Sequence, residues 1–82
     1  MFMNDRVEDA IQRGILKREW ITYVARDGVI IDTDKAQYKI DKLTYVYVLT
    51  IYNKITLKNI WTKRDANENR LFDMILEDIK KR

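Results

Sequence analysis

The chain has no cysteine, histidine, serine or proline, and its only glycines are Gly14 and Gly28. Each absence closes a class of chemistry. Without Cys there is no disulfide framework and no thiolate nucleophile, and without Cys or His there is no zinc site of the usual kind. The missing His and Ser remove the common nucleophile–base triads. Two isolated glycines cannot form a Gly-rich loop that cradles phosphate. No apolar run approaches the roughly 20 residues that cross a bilayer, and charge begins at Asp5, leaving no apolar signal core. The expectation is a cytoplasmic protein with no membrane segment, no metal and no cofactor.

What is present describes a folded module. The 82 residues are 46% hydrophobic and 35% charged, the balance of a single globular domain covering 1–82 and too short for a multidomain enzyme. A core of this size is only marginally stable alone, so a homo-oligomer is a natural supplement. Ile, Lys, Asn and Tyr are abundant, and all four have A/T-rich codons, which points to an A/T-rich genome such as that of a virus or mobile element.

Carboxylates, lysines and tyrosines are the remaining groups for acid–base work. Asp32 and Asp34 sit two apart at a strand end, a partial shell for a hard cation with nothing nearby to complete it, so they read as turn residues. Glu77 and Asp78 read as a solvated helix face. Every Lys adjoins a turn, a polar strand position or a helix end, where no amine is desolvated enough to act as a nucleophile. The chain is therefore read as a binding protein and not an enzyme.

Apolar spacing sets the order of elements. Val7, Ala10, Ile11 and Ile15 recur at helical intervals; Asp5 and Glu8 have capping-box spacing, and the helix is expected to end between Gly14 and Arg18 with Lys17 and Arg18 on its negative pole. Trp20–Arg26 and Val29–Thr33 flank Asp27-Gly28, a type I′ hairpin signal that pairs Val24 with Ile31. Thr33-Asp34-Lys35 is a turn before a strand at Ala36–Ile40. Leu43–Tyr52 is apolar on both sides and reads as a doubly covered strand. Asn53-Lys54 is a tight turn to a strand at Ile55–Trp61. Asp65 and Glu68 cap a last helix over 66–80, whose stripe Leu71, Phe72, Ile75, Leu76 and Ile79 precedes Lys80-Lys81-Arg82. The fold class is α+β: an N-terminal helix, about five short antiparallel strands in a curved sheet or small barrel, and a C-terminal helix.

Charge is unevenly placed. The net charge is +3 and the pI about 9.2, yet residues 35–64 carry seven basic groups against the single acid Asp41. Rings interleave with these cations: Tyr38-Lys39, Lys42, Tyr45, Tyr47, Tyr52-Asn53-Lys54, Lys58 and Trp61-Thr62-Lys63-Arg64. Amines along a phosphate backbone and rings on which bases stack are the two ingredients of single-strand binding. The candidate nucleic-acid-binding residues are Lys39, Lys42, Tyr47, Lys54, Lys58, Lys63 and Arg64, with Tyr47 and Lys58 expected on one face beside Tyr45. The structural reading of the same residues is that Tyr45 and Tyr47 are core and the lysines a solvated face. The competing functional class is a protein-binding regulator or inhibitor that uses a sheet edge or an amphipathic helix. One cluster of these cations would favour a polyanion, and scatter would favour a protein partner.

Overall fold

Alternating apolar positions make strands that can bury only one side, and two amphipathic helices supply the cover. The computed structural model describes residues 3–81, with the side chains of all of these except residues 3 and 59–61. The elements are α1 (Met3–Gln12), β1 (Ile21–Ala25), β2 (Gly28–Asp32), β3 (Ala36–Lys42), β4 (Tyr47–Asn53), β5 (Lys58–Asp65) and α2 (Glu68–Lys81), with a short 3₁₀ turn at Arg18–Trp20. The strands form one antiparallel meander in the order β1-β2-β3-β4-β5, an open curled sheet with β1 and β5 as its edges and no closed barrel. The α+β class and its helix–five strands–helix order are as the sequence indicates.

Helix α1 begins earlier than its capping signal. Asp5 lies inside the first turn, and Glu8 accepts two hydrogen bonds from the Arg18 guanidinium at 2.9 and 2.8 Å, pinning the chain after the helix back onto it. That bidentate contact holds the Glu8 carboxyl below its ordinary value. The helix stops at Gln12, short of the expected end, because Gly14 takes φ +77°. The Gly14 and Ile15 amides then donate to the Ile11 and Ala10 carbonyls, both at 3.0 Å, satisfying the last turn as a glycine-terminated helix requires. Lys17 and Arg18 fall beyond the helix, whose last turn carries no basic residue.

The first hairpin corrects the reading of Asp27-Gly28. Ala25 pairs with Gly28 and Val24 with Val29, so the turn is Arg26-Asp27, and Gly28 is a strand residue without positive φ. Glycine is needed there for another reason: a Cβ at Gly28 would lie 2.6 Å from the Ile40 carbonyl oxygen of the neighbouring strand. The pairing differs from expectation by two residues, which leaves Val24, Val29 and Ile31 on their expected face, since side chains alternate with period two. Thr33 is buried and closes the next turn with its own hydroxyl, which donates to the Ala36 carbonyl and accepts the Lys35 and Ala36 amides.

The second hairpin is shorter at its start and later at its turn than the apolar run suggests. Leu43–Val46 is a loop closed by the Leu43 amide on the Val46 carbonyl, and Leu43 and Tyr45 are exposed. The β4–β5 turn spans 54–57: Asn53 Oδ1 accepts the Ile55 and Thr56 amides, the Leu57 amide bonds Asn53 O at 2.8 Å, and Leu57 takes φ 60°. The longer, later turn moves the start of β5 to Lys58, and a β-bulge between Ile51 and Tyr52 shifts the pairing by one residue more, so the expected register is replaced by Leu49↔Lys63, Thr50↔Thr62 and Val48↔Arg64.

Both helices cover the same face. Helix α2 packs on β3, β4 and β5, and α1 packs beside β1. Val29, Ile31, Ala36, Tyr38, Ile40, Leu49 and Ile51 meet Val7, Ala10, Leu16, Leu71, Phe72, Ile75 and Leu76 in one core, with Ile79 only partly buried at its margin. The expectation that β4 is covered on both faces does not hold: Val48, Thr50 and Tyr52 are half-exposed on the opposite side. The cap of α2 is Asn67, whose Oδ1 accepts the Asn69 amide at 2.9 Å, while Asp65 forms the turn before it by accepting the Asn67 amide. Among the described residues no helix is long and apolar enough to cross a membrane.

Three substitutions test this packing. Ile75 is fully buried, so Ile75→Ala should cost on the order of 2–5 kcal/mol in chemical denaturation, and a loss under half of that range's floor would place α2 off the sheet. Gly28→Ala should destabilise by about 1–3 kcal/mol through overpacking against β3. Gly14→Ala meets open space and should cost only the left-handed backbone penalty, about 1–2 kcal/mol. Free tolerance of Gly28→Ala would refute the close approach.

Candidate nucleic-acid interface

Register decides which candidate side chains can act together. Tyr23↔Ile30, Ile30↔Lys39, Lys39↔Thr50 and Thr50↔Thr62 form one row across the helix-free face, flanked by Asp32↔Gln37 and Gln37↔Tyr52 on one side and Asp41↔Val48 and Val48↔Arg64 on the other. Lys39, Arg64 and Tyr52 therefore share this face. Lys42, Tyr47 and Lys63 alternate with them and register with the helix-covered face, in line with Leu49 and Ile51. Lys58 opens β5 opposite Asn53. It is six positions along β4 from Tyr47, about 20 Å at strand rise, so the expected Tyr47–Lys58 platform does not form.

Partners thin the basic set further. The Lys54 ammonium sits 2.7 Å from Asp32 and 2.9 Å from the Thr33 carbonyl, clamping the β2–β3 turn to the end of β4. Lys39 pairs with Asp41 at 3.6 Å, and Lys42 with Asp27 at 3.9 Å while lying 5.9 Å from the Tyr47 ring centroid. Tyr47 itself is half-buried against the core, whereas Tyr45 stands in the loop with 89% of its surface exposed. Asp32, half of the Asp-x-Asp pair, is taken by Lys54.

Lys58, Lys63 and Arg64 differ. All three are exposed on the edge strand β5, and none makes an ion pair among the described residues. Lys58 and Lys63 register with one face of that edge and Arg64 with the other, so the cations straddle it. From the Lys58 pair to the Arg64 pair is five strand steps, about 17 Å of edge. Such lysines also guard a sheet edge against strand addition, a role that needs no ligand. One strand inward, opposite Asn59, Tyr52 is the half-exposed ring nearest these cations on the helix-free face. The sequence pattern contains Tyr52, but the two-residue turn expected at Asn53-Lys54 put it opposite Ile55 and left Tyr47 as the apparent ring. The Trp61 side chain, part of the same pattern, lies outside the described residues.

A separate groove of about 570 Å³ opens at the far end of the sheet, lined by Tyr23, Ala25, Ile30, Arg26, Asp41 and Leu43 among others. Asp27 and Lys42, which also border it, set the field at Glu68 on the first turn of α2. Burial raises the Glu68 carboxyl above its ordinary value, Asp27 adds to the rise and Lys42 opposes it. Its Oε2 has no hydrogen-bond partner among the described residues.

Comparison with known proteins yields no match to a family model, a curated protein or a solved structure.

Glu68 gives a pH test of this end of the sheet. The folded protein holds its proton more tightly than the unfolded chain does, so stability is greatest below the unfolded value and falls as pH rises through the carboxylate range. Glu68→Gln cannot ionise and should gain stability relative to the parent at neutral pH, with the advantage shrinking on the acid side. A pH-independent difference in denaturation midpoints would show that burial of the charge is not the cause.

Proposed function

We propose that this chain is a small non-enzymatic protein that binds nucleic acid along β5 and the adjoining helix-free face. The observation that supports this most directly is the set of three exposed cations on that edge, Lys58, Lys63 and Arg64, none of which makes an ion pair among the described residues. Phosphate neutralisation by such side chains releases counterions and needs no catalytic group. Lys39 adds charge on the same face, partly offset by Asp41. Lys42 and Lys54 serve the fold through Asp27 and Asp32 and are peripheral to the ligand in this proposal.

A protein partner is the second reading, and the far groove favours it. Its neighbourhood exposes Tyr23, Leu43 and Tyr45, and its Lys42 is paired with Asp27, which suits a mixed apolar surface better than a phosphate chain. Binding there would depend on Tyr23 and only weakly on salt.

Salt titration separates the two. Three phosphate contacts at about −0.7 each give a log–log slope near −2 on a single strand, and Lys58→Ala should reduce its magnitude by about one contact while weakening all sequences alike. Dissociation constants above about 0.1 mM for both single- and double-stranded oligonucleotides in about 50 mM salt would end the nucleic-acid proposal and leave the protein partner in the lead.

A further inference from the structure

We infer that the ligand of this edge is a single strand, its phosphates lying along β5 and one base turned inward onto Tyr52; this rests on the nucleic-acid proposal and adds the class of ligand to it. The strands place Tyr52 directly inside β5, about 4.8 Å from it in the pairing direction, on the face that neither helix covers. A backbone held at the edge by Lys58, Lys63 and Arg64 therefore has a ring within one nucleotide's reach on its inner side. Duplex bases are already stacked on one another and offer no face to Tyr52. Nor does the fold present a recognition element to a major groove, because α1 and α2 are both packed against the other side of the sheet. Tyr47 does not compete for this role, since its ring is half-buried against the core and faced by Lys42.

The experiment compares a fluorescently labelled oligonucleotide as a single strand and as its duplex, at equal salt, against the full chain and two variants. The single strand should bind more tightly. Tyr52→Ala should weaken it roughly five- to hundred-fold, the loss typical when a stacking ring is removed, with the salt slope unchanged. Tyr52→Phe keeps the ring and should restore most of the affinity. Thermal melts establish that the variants are folded. On the unaltered chain, amide shifts induced by the single strand should map to β4 and β5, which keeps the test decisive even where Tyr52→Ala unfolds. Equal or tighter duplex binding, a folded Tyr52→Ala that binds normally, or shifts confined to other strands would overturn the single-strand inference while leaving nucleic-acid binding in place. Failure to bind either form would overturn both.

Discussion

Tyr38 is fully buried in the middle of β3, yet its hydroxyl donates to Asp78 near the end of α2. That contact locks the helix across the sheet at the point where Phe72 and Ile75 enter the core. A phenol can be buried at this depth only with a partner, because an unmet hydroxyl in an apolar interior carries a penalty of about 1–3 kcal/mol. The apolar stripe of α2 covers the sheet, and the Tyr38–Asp78 bond fixes how far along it the helix sits. Arg6 extends the same tie to α1 by pairing with Asp73 and lying over the Phe72 ring. With both helices committed to one side, the other side of the sheet stays open.

One-sided cover also decides what the strand residues are for. Ile31, Tyr38, Ile40, Leu49 and Ile51 face inward and make the core. Their neighbours Ile30, Val48 and Tyr52 are only half-covered, so a surface with substantial apolar character remains beside polar Gln37, Lys39 and Thr62. The chain guards its long edge strand β5 with Lys58, Lys63 and Arg64, which discourages strand addition there. The same placement makes that edge attractive to an anionic chain. Guarding and binding are compatible, since both require cations that are exposed and unneutralised.

Ion pairs divide a basic stretch that looks uniform in one dimension. Lys54 reaches the carboxylate of Asp32 across the sheet end, and Lys42 reaches Asp27 across the β1–β2 turn, although both acids lie far from them in sequence. These exposed pairs contribute little to stability individually. Their larger consequence is to reduce the local positive field, which leaves Lys58, Lys63 and Arg64 of β5, with Lys35 at the β2–β3 turn, as the cations of this stretch without an ion pair among the described residues.

The sequence by itself determined the class and order of the elements. Helical spacing in α2, alternation in β3 and the turn at Thr33-Asp34-Lys35 are local signals, and local backbone preference suffices to read them. It also determined the missing chemistry, because absent Cys, His and Ser cannot be supplied by folding. Register and cover were decided only by tertiary structure. Gly28 carries a turn signal locally, but the structure makes it a strand residue packed against Ile40; Asn53 closes a longer loop with its own side chain, and β5 slides along β4 so that Asn59 instead of Ile55 lies opposite Tyr52 and Asp65 instead of Ile60 opposite Tyr47. Lys58, Lys63 and Arg64 were legible as candidates, while their difference from Lys39, Lys42 and Lys54 was not. Whether a lysine meets an acid depends on residues brought together from distant parts of the chain, and a linear pattern holds no record of that distance.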